Sequence, residues 1–471
     1  MFNIDSHGSA RLYKSKFAHY ITRNNVTCAY HSLKLHTEYF PTFFLDFIQQ
    51  CIQSTAIEAL SQLNPSKQPE ALSILERLCN SGIIIPNADI DEKLLEAVQN
   101  AALKGPNIRV MVLHLTDYCN LKCKYCFIEG SIDNEYKRRS MTNETMRSAV
   151  EFFARITNGK QFPKRPSIVF YGGEPVINWD VIKNGLEHID QLERQKKIEK
   201  TDKILITNGT LINDEIASVL KKHKVMVSVS IDGPKELHDR NRIMNNNRGS
   251  FDRVMAGFNA LRDAGIRPTV SCVMGKSSIA HEDDILTFLV EDLGIRALGF
   301  NHVSIVPNLT SYDPDYENSF AESVLNAQEL IQSKYSHVYE RRMSHKLNNF
   351  IDRVISKADC TGCGEQISVS VNGEVGVCQG YMGTRKTFNN NVFDDNFDPN
   401  LDDVFREWSM RSPLRIEECM SCIALGTCGG GCPRNAEFLS GSIWNLDKPF
   451  CHFAKKAQEY MIWKKYDALN T

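Results

Sequence analysis

Three cysteines with short, fixed spacing are the residues of this chain best suited to metal chemistry. Cys119, Cys123 and Cys126 form a C-x3-C-x2-C motif directly after the apolar run Ile108–Leu115, and Tyr125 lies between the last two cysteines. Three thiolates on one loop can bind three irons of a four-iron cubane, which leaves the fourth iron open to a small molecule. A closed zinc site prefers four ligands, and a thioredoxin-like C-x2-C motif does not need Cys119. The motif therefore predicts an iron–sulfur cluster with one open corner, and zinc or a redox pair is the alternative.

A second group of cysteines lies near the C-terminus. Cys419 begins a C-x2-C-x5-C-x3-C run, and Cys363 and Cys378 belong to a C-x9-G-x4-C pattern with Gly373 in a predicted hairpin turn. Eight thiolates suffice for two fully ligated [4Fe-4S] clusters, although all-cysteine zinc sites also use C-x2-C pairs. The eight residues are Cys360, Cys363, Cys378, Cys419, Cys422, Cys428, Cys432 and Cys451.

The composition is that of an ordinary globular protein. The chain has 471 residues, of which 42% are hydrophobic and 24% charged, and its net charge is −2. This length predicts roughly three domains, and the charge gives no sign of nucleic-acid binding. The N-terminus lacks an apolar signal sequence, and no run approaches the ~20 apolar residues of a membrane helix. We therefore expect a cytoplasmic protein that binds neither nucleic acid nor membrane.

The cysteine content of such a chain favours metal binding over disulfides. Of the 15 cysteines, four lie outside the two groups and have apolar neighbours, and these are predicted to be buried thiols. They are Cys28, Cys51, Cys79 and Cys272.

Strands and helices alternate regularly between residues 106 and 305. Amphipathic patterns such as Asn143–Arg155 and Phe251–Ala264 predict helices between the strands. This alternation predicts an α/β fold with a parallel sheet, either doubly wound or curled into a barrel. The predicted strands are Ile108–Leu115, Ser167–Tyr171, Lys203–Thr207, Val225–Ser230, Thr269–Met274 and Ala297–Ile305.

Polar residues follow several of these strands. Gly172-Gly173-Glu174-Pro175 comes after the second strand, Thr207-Asn208 after the third, and Ser230 and Asp232 after the fourth. The carboxyl ends of parallel strands form the active-site edge of such sheets. Glycines let a backbone approach a ligand closely, and a carboxylate beside them can bind an ammonium group. We therefore predict a ligand site at this edge of the sheet. Arg242 is a further candidate for binding the ligand, and the alternative is that it is a solvated arginine in a polar loop.

The flanking segments are predicted to be separate units. Two strands over Tyr13–Tyr30 turn at Asn24-Asn25, helix-like patterns follow at Tyr39–Leu60 and Glu70–Asn80, and Ile83–Ile85 is strand-like. This order is typical of a small winged-helix-like module. After the alternating region, Pro307–Tyr316 is predicted to be a loop and Phe320–Ser356 mostly helix. The predicted domains are residues 1–105, 106–310, a helical bridge at 311–356, and 357–471.

The motifs together resemble the radical S-adenosylmethionine (SAM) enzymes that carry a C-terminal SPASM domain. The resemblance rests on C-x3-C-x-aromatic-C after a first strand, GGEP one strand later, the string Ser230–Arg242, and the C-terminal cysteines, and it covers about residues 106–451. It implies an open, partial (β/α)6 TIM-like barrel, followed by an iron–sulfur SPASM domain. It also implies SAM and three [4Fe-4S] clusters as cofactors.

The resemblance assigns roles to individual residues. Cys119, Cys123 and Cys126 would hold the primary cluster, whose open iron binds SAM and whose electron cleaves it to a 5′-deoxyadenosyl radical. The nearer auxiliary cluster would be bound by Cys360, Cys363, Cys378 and Cys432, and the outer one by Cys419, Cys422, Cys428 and Cys451. The implied SAM-contacting residues are Tyr125, Gly172, Gly173, Glu174, Pro175, Thr207, Asn208, Ser230, Asp232 and Arg242.

The implied activity is hydrogen abstraction from a peptide or protein. The N-terminal module resembles a peptide-recognition domain that would capture the leader of a ribosomally made precursor peptide by adding a strand to its sheet; a capping domain without a ligand is the alternative. A flavodoxin- or ferredoxin-like protein would supply electrons. Sulfatase-maturing members carry an aspartate after an auxiliary cysteine, whereas Cys378 is followed by Gln379, which cannot take a proton.

This departure favours a peptide maturase that installs a thioether, C–C or C–O crosslink by net oxidation. Two alternatives stay open. One is a sulfatase-type maturase that makes formylglycine from cysteine or serine, and the other is a non-catalytic metal protein that binds a peptide. The sequence assigns no catalytic base.

Overall fold

The computed structural model describes residues 11–132, 136–306 and 313–470, and it begins with a small α+β unit. Strands β2 (Ala18–Arg23), β3 (Val26–His31) and β4 (His36–Pro41) form an antiparallel meander, and β1 (Tyr13–Lys14) pairs with β5 (Ile84–Ile85). Helices α1 (Leu45–Gln53), α2 (Ala56–Ser61), α3 (Gln68–Ser81) and α4 (Asp89–Ala102) complete the unit.

The predicted hairpin of this unit is present, but one predicted helix is partly wrong. Asn24 and Asn25 have φ of 48° and 64°, which suits a two-residue hairpin turn. The helix expected at Tyr39–Leu60 begins only at Leu45, because Tyr39–Pro41 pairs with β3, and it is interrupted at Thr55, which caps α2. Pairing with a neighbouring strand thus outweighed the helical spacing of the apolar residues.

The middle of the chain folds into parallel strands joined by helices. The strands are β6 (Val110–His114), β7 (Ser167–Tyr171), β8 (Asp202–Thr207), β9 (Met226–Ser230), β10 (Thr269–Val273) and β11 (Ala297–Asn301). The helices are α5 (Asn143–Thr157), α6 (Trp179–Arg194), α7 (Asp214–Lys222), α8 (Lys235–Asn241), α9 (Phe251–Asp263) and α10 (Glu282–Leu286), which continues as a π-helical turn at Thr287–Asp292.

The order of these strands is sequential, and neighbouring strands in the chain are neighbours in the sheet. A doubly wound sheet would reverse direction at a switch point, so the order is that of a curled, singly wound sheet. Its inner face carries Val110, Val112 and Val169, whereas the outer face packs on the helices through residues such as Leu113 and Phe170. The predicted α/β class and parallel sheet are therefore confirmed.

The first helix of the bridge begins at Pro314, earlier than the helix that the sequence predicted from Phe320. Part of the expected loop, residues 307–312, lies outside the described residues. The loop prediction is wrong for Pro314–Tyr316, because helix α11 (Pro314–Lys334) starts at Pro314. The Asp313 carboxylate caps this helix and accepts from the backbone N–H groups of residues 315 and 316. Proline is well tolerated at the first position of a helix. Strand β12 (Tyr339–Glu340) and helix α12 (Arg341–Ile351) follow.

The C-terminal part extends the same sheet. Strand β13 (Gln366–Val369) pairs in parallel with β6, and β14 (Glu374–Gly376) and β15 (Asn390–Asn391) follow at the edge. The described sheet thus has ten strands, with the predicted turn at Gly373 (φ 83°). Helices α13 (Asp403–Met410), α14 (Leu425–Cys428), α15 (Pro433–Ser440) and α16 (Lys448–Leu469) complete the chain.

The N-terminal unit packs against this C-terminal part. Tyr39 donates to the carbonyl of Ile462 in α16, and Phe17 and Leu33 share an apolar cluster with Leu414 and Leu425. Within the described residues, no helix has the length and hydropathy needed to cross a membrane.

Candidate functional site

The C-x3-C-x2-C loop leaves the sheet at the carboxyl end of β6. Its extended part, residues 121–124, pairs with residues 241–244 through Leu121 and Met244. Cys119, Cys123 and Cys126 are all half-buried, and the backbone N–H of Leu121 lies 3.4 Å from the Cys119 sulfur. The structure therefore brings together the three cysteines that the sequence singled out.

The two glycines of the GGEP turn touch the chain's own backbone at the start of this loop. Gly173 N–H donates to the Thr116 carbonyl over 2.8 Å, and Glu174 N–H donates to the Tyr118 carbonyl over 2.9 Å. A Cβ at Gly172, whose φ is 151°, would stand 2.8 Å from the Thr116 carbonyl oxygen. The sequence predicted that the glycines let the backbone approach a ligand closely. In this structure they let the turn approach the backbone of Thr116–Cys119.

The Glu174 carboxylate joins the ends of two strands. It is 1% exposed and accepts from the Thr207 hydroxyl (2.6 Å), the Asn208 N–H (2.7 Å) and the Val176 N–H (3.2 Å). Burial raises the pKa of Glu174 to about 7, although these hydrogen bonds favour the ionised form. Asn208 in turn donates to Asn120 in the cysteine loop over 2.9 Å. The edge of β7 and β8 is therefore tied to that loop.

A buried ion pair lies on the other side of the loop. Arg242 donates to Asp232 over 3.0 Å, and Tyr125 donates to the other carboxylate oxygen of Asp232. The guanidinium lies 5.4 Å from the centre of the Tyr125 ring, and the Val273 N–H donates to Asp232 over 2.9 Å. Arg242 is only 7% exposed, so the alternative of a solvated arginine is wrong.

The remaining predicted SAM contacts lie at the same edge. Pro175 is buried in the turn after Glu174, and Ser230 is half-buried at the last position of β9. The side-chain hydroxyl of Ser230 has no hydrogen-bond partner among the described residues. Its hydroxyl is therefore available to a ligand, whereas the carboxylates of Glu174 and Asp232 are already hydrogen-bonded.

The C-terminal cysteines form two spatial sets. Thiols of one set lie close enough for their charges to raise the pKa of another member: Cys378 and Cys432 do so for Cys360, and Cys428 and Cys422 do so for Cys419. One set is Cys360, Cys363, Cys378 and Cys432, and the other is Cys419, Cys422, Cys428 and Cys451. These are the sets that the resemblance implies; that each binds a cluster stays a prediction.

The donor set suits iron–sulfur clusters. The backbone N–H of the glycine two residues after Cys360, Cys378 and Cys428 lies 3.3 Å from each sulfur, and such bonds stabilise thiolates. Within the described parts of the chain, no three His, Cys, Asp or Glu side chains are placed to share one metal ion. A cubane does not require that arrangement, because it binds each cysteine at a separate iron.

The other cysteines are also accounted for. Cys28, Cys51 and Cys272 are fully buried as predicted, whereas Cys79 is only half-buried. Gln379, which follows Cys378, accepts from Gln366 of β13 over 2.8 Å. The position that would need a carboxylate in a sulfatase-type maturase is thus held by a hydrogen-bonded amide.

Sequence reasoning missed two features of the site. Arg434, 2% exposed, donates to the Gly380 carbonyl (2.8 Å), the Ser131 hydroxyl (2.9 Å) and the Ile305 carbonyl (3.1 Å), and so joins both cysteine regions to the end of β11. His302, directly after β11, is hydrogen-bonded to the buried Glu317 of α11. Neither residue belongs to a short motif, since their partners are far away in the chain.

Comparison with known proteins defines the class of this site. Residues 113–289 match the model of the Radical SAM superfamily, and this part of the chain is a radical SAM domain. Members of this superfamily use a [4Fe-4S] cluster and SAM.

Among the relatives is the radical SAM cyclopropyl synthase TigE of Paramaledivibacter caminithermalis, which is 26% identical over 74% of this chain and 73% of its own. The cysteine-type anaerobic sulfatase-maturating enzyme of Clostridium perfringens is 26% identical over 78% of this chain and 99% of its own.

Solved structures share the fold. Native anSMEcpe with bound AdoMet and the Cp18Cys peptide has a TM-score of 0.65 at 23% identity, and it covers 78% of this chain and 99% of its own. Streptococcus suis SuiB bound to the precursor peptide SuiA has a TM-score of 0.54 at 17% identity. That match covers 93% of this chain and 99% of SuiB, so it includes much of the N-terminal unit.

Proposed function

We propose that this protein is a radical SAM/SPASM maturase that removes hydrogen from a ribosomally made precursor peptide and installs an intramolecular thioether, C–C or C–O bond by net oxidation. The observation that carries the proposal is the position of Arg434. One guanidinium contacts Ser131 in the primary cysteine loop and Gly380 beside Cys378. A substrate at the strand edge would therefore lie between the site of hydrogen abstraction and an electron acceptor.

Cys119, Cys123 and Cys126 would hold the primary cluster, which supplies the electron that splits bound SAM into methionine and an adenosyl radical. The chain's own residues shape the SAM pocket. Glu174 and Asp232 would position the strand ends that surround the pocket, because donors from the protein already bind their carboxylates. The other proposed lining residues are Tyr125, Gly172, Gly173, Pro175, Thr207, Asn208, Ser230 and Arg242.

The two C-terminal cysteine sets would bind the two auxiliary clusters. Cys360, Cys363, Cys378 and Cys432 would hold the one nearer the strand edge, since Arg434 connects Gly380 to Ser131. Cys419, Cys422, Cys428 and Cys451 would hold the outer one. A cluster in either set is suited to take up one electron from an oxidised substrate.

Net oxidation also requires a proton acceptor. In the proposed reaction the substrate would give up one hydrogen atom, one electron and one proton, and the bound SAM and an auxiliary cluster would take up the first two. His302 follows β11 at the active edge, and Glu317, 1% exposed, binds its Nε2. The buried Glu317 carboxylate fixes the orientation of the His302 ring through this hydrogen bond, and an oriented histidine is suited to act as a general base.

The N-terminal unit would bind the leader of the precursor. β4 is an edge strand of the described meander, and α3 lies beside it, where Arg77 donates to the Tyr39 carbonyl over 3.2 Å. An extended peptide can add a strand to such an edge. SuiB, whose fold likeness spans most of this chain, was solved with a precursor peptide.

A sulfatase-type maturase is the second candidate, because its named relatives match 78% of the chain. The hydrogen-bonded amide of Gln379 argues against it, since an amide does not accept a proton near neutral pH. Because one relative is a cyclopropyl synthase, a ring closed by a C–C bond within the peptide is a further possible product.

The test is co-expression with short peptides encoded near the gene as candidate precursors, followed by mass spectrometry. The proposal expects a mass loss of two hydrogens and fragments that reveal a crosslink or ring. Formylglycine on a sulfatase-derived peptide would favour the second candidate. An unchanged peptide together with active SAM cleavage would contradict the proposed substrate class.

A further inference from the structure

The surface directly over the primary cysteine loop carries a group of cations without partners. Residues 121–124 lie alongside residues 241–244: Lys122 N–H donates to the Ile243 carbonyl (2.8 Å) and Lys124 N–H to the Asn241 carbonyl (3.1 Å). Side chains alternate along an extended strand. Leu121 is buried and Cys123 is half-buried, whereas Lys122 and Lys124 are exposed.

The paired segment adds two more cations. Arg240 precedes Asn241, and Arg248 accepts a backbone hydrogen bond from Met244, the partner of Leu121. Both arginines are exposed. We call Lys122, Lys124, Arg240 and Arg248 the cationic edge.

These cations differ from other surface cations near the site. Lys235 is bound to Asp252 and Arg138 to Glu129, whereas no member of the cationic edge has a side-chain hydrogen bond or ion pair among the described residues. Unpaired charges of one sign attract a partner of opposite charge and raise its association rate. The cationic edge is therefore suited to bind an acidic partner.

Its location indicates what that partner delivers. Cys123 is flanked in sequence by the two exposed lysines, so a protein docked here lies one peptide unit from a proposed cluster ligand. SAM cleavage, as proposed above, consumes one electron per turnover at this cluster. An external reductant that supplies this electron has to bind and leave again, which favours a weak, charge-steered complex.

We propose that the cationic edge is the docking surface for a small acidic electron-transfer protein, which is oxidised by one electron while the primary cluster is reduced by one. The inference rests on the proposed radical SAM function and adds the surface and the charge of the reductant.

The test compares two reductants on one variant. Wild type and K122E/K124E are assayed anaerobically for 5′-deoxyadenosine with dithionite, and then with an acidic flavodoxin kept reduced by its NADPH-dependent reductase. Steering by charge predicts that the flavodoxin-driven rate of the variant falls about tenfold or more at low salt. The dithionite-driven rate should stay within about twofold, because a small reductant needs no docking surface.

The control variant is K197E/K200E, which changes two exposed lysines in the loop before β8, at the opposite edge of the sheet. It should match wild type with both reductants. Binding of the flavodoxin, measured by biolayer interferometry, should weaken for K122E/K124E and not for the control, and added salt should weaken wild-type binding in the same way.

Equal flavodoxin-driven rates and equal binding for wild type and K122E/K124E would overturn the inference. If K122E/K124E also loses its dithionite-driven rate, the substitutions have altered the cysteine loop itself. Flavodoxin binding by R240E/R248E then decides: weaker binding than wild type supports the docking surface, and equal binding overturns it. No 5′-deoxyadenosine from wild type with dithionite would overturn the proposed function rather than the docking surface.

Discussion

Gly173 lies against the backbone of Tyr118, and a Cβ at position 173 would stand 2.3 Å from the Tyr118 carbonyl oxygen. The GGEP turn therefore sets the course of the chain immediately before Cys119. Two regions separated in the chain by helix α5 and strand β7 are held in contact by the absence of a side chain.

Gly173→Ala should displace the start of the cysteine loop. Overpacking of this kind costs about 1–3 kcal/mol, so the free energy of unfolding should fall and the anaerobically reconstituted protein should retain less iron. Gly275→Ala is the matched control, since a Cβ there would meet only the Asn241 side chain at 3.7 Å. Wild-type iron content and 5′-deoxyadenosine formation in G173A would contradict this account of the turn.

Glu174→Gln should weaken SAM binding. The two oxygens of the carboxylate accept from Thr207, Asn208 and Val176, whereas the glutamine amide has only one acceptor oxygen. At least one of these buried donors would lose its partner, which costs about 1–3 kcal/mol. If that cost falls on the pocket, the Kd for SAM should rise about tenfold. Equilibrium binding of SAM to the reconstituted protein measures this, with exposed Glu187→Gln as the control.

His302→Asn should uncouple SAM cleavage from product formation. Hydrogen abstraction does not need the base, so 5′-deoxyadenosine should still form, whereas removal of a general base lowers the dependent step by about 10²–10⁴-fold. Glu317→Gln should give a smaller loss, because histidine remains but is less well oriented. The ratio of oxidised peptide to 5′-deoxyadenosine reports the effect, and an unchanged ratio in H302N would exclude this pair as the base.

The fold is also stabilised by Asp190, which binds a lysine and a histidine far from the site. Burial opposes ionisation of Asp190, but hydrogen bonds from Lys203 (2.5 Å) and His223 (2.7 Å) outweigh it and lower its pKa. A carboxyl group with a lowered pKa stabilises the fold above its unfolded pKa, and this contribution is lost as the pH falls through the folded value.

Asp190→Asn should therefore reduce the free energy of unfolding by about 1–3 kcal/mol at neutral pH. The difference from wild type should shrink as the pH falls below the ordinary pKa of an aspartate, about 4. Urea unfolding at several pH values measures both quantities. A difference that persists unchanged at low pH would show that lost packing, not charge, is responsible.

The sequence predicted the sheet well because its strands are short apolar runs at regular spacing. Five of them both begin and end within two residues of the predicted bounds, as at Ser167–Tyr171. The sixth was predicted too long: Ala297–Ile305 leaves the sheet at Asn301, because Asn435 and Arg434 bind Ile305. No local pattern could show a bond between residues so far apart in the chain.

The same limit applies to the site. The cysteines and the GGEP turn were recognisable because spacing within a short segment defines them. The parallel pairing of β13 with β6, and the pair His302–Glu317, depend on contacts that only the folded chain creates. Their residue types alone did not distinguish them from ordinary surface or core residues.

The central claim is that the Cys119–Cys126 loop binds a cluster that reductively cleaves SAM. Its most direct test is chromatographic measurement of 5′-deoxyadenosine after anaerobic incubation of the iron-reconstituted protein with SAM and dithionite. Wild type should release 5′-deoxyadenosine and methionine in equal amounts, and C123A should release neither. A wild-type protein that contains its full complement of iron and yet releases no 5′-deoxyadenosine would contradict the account.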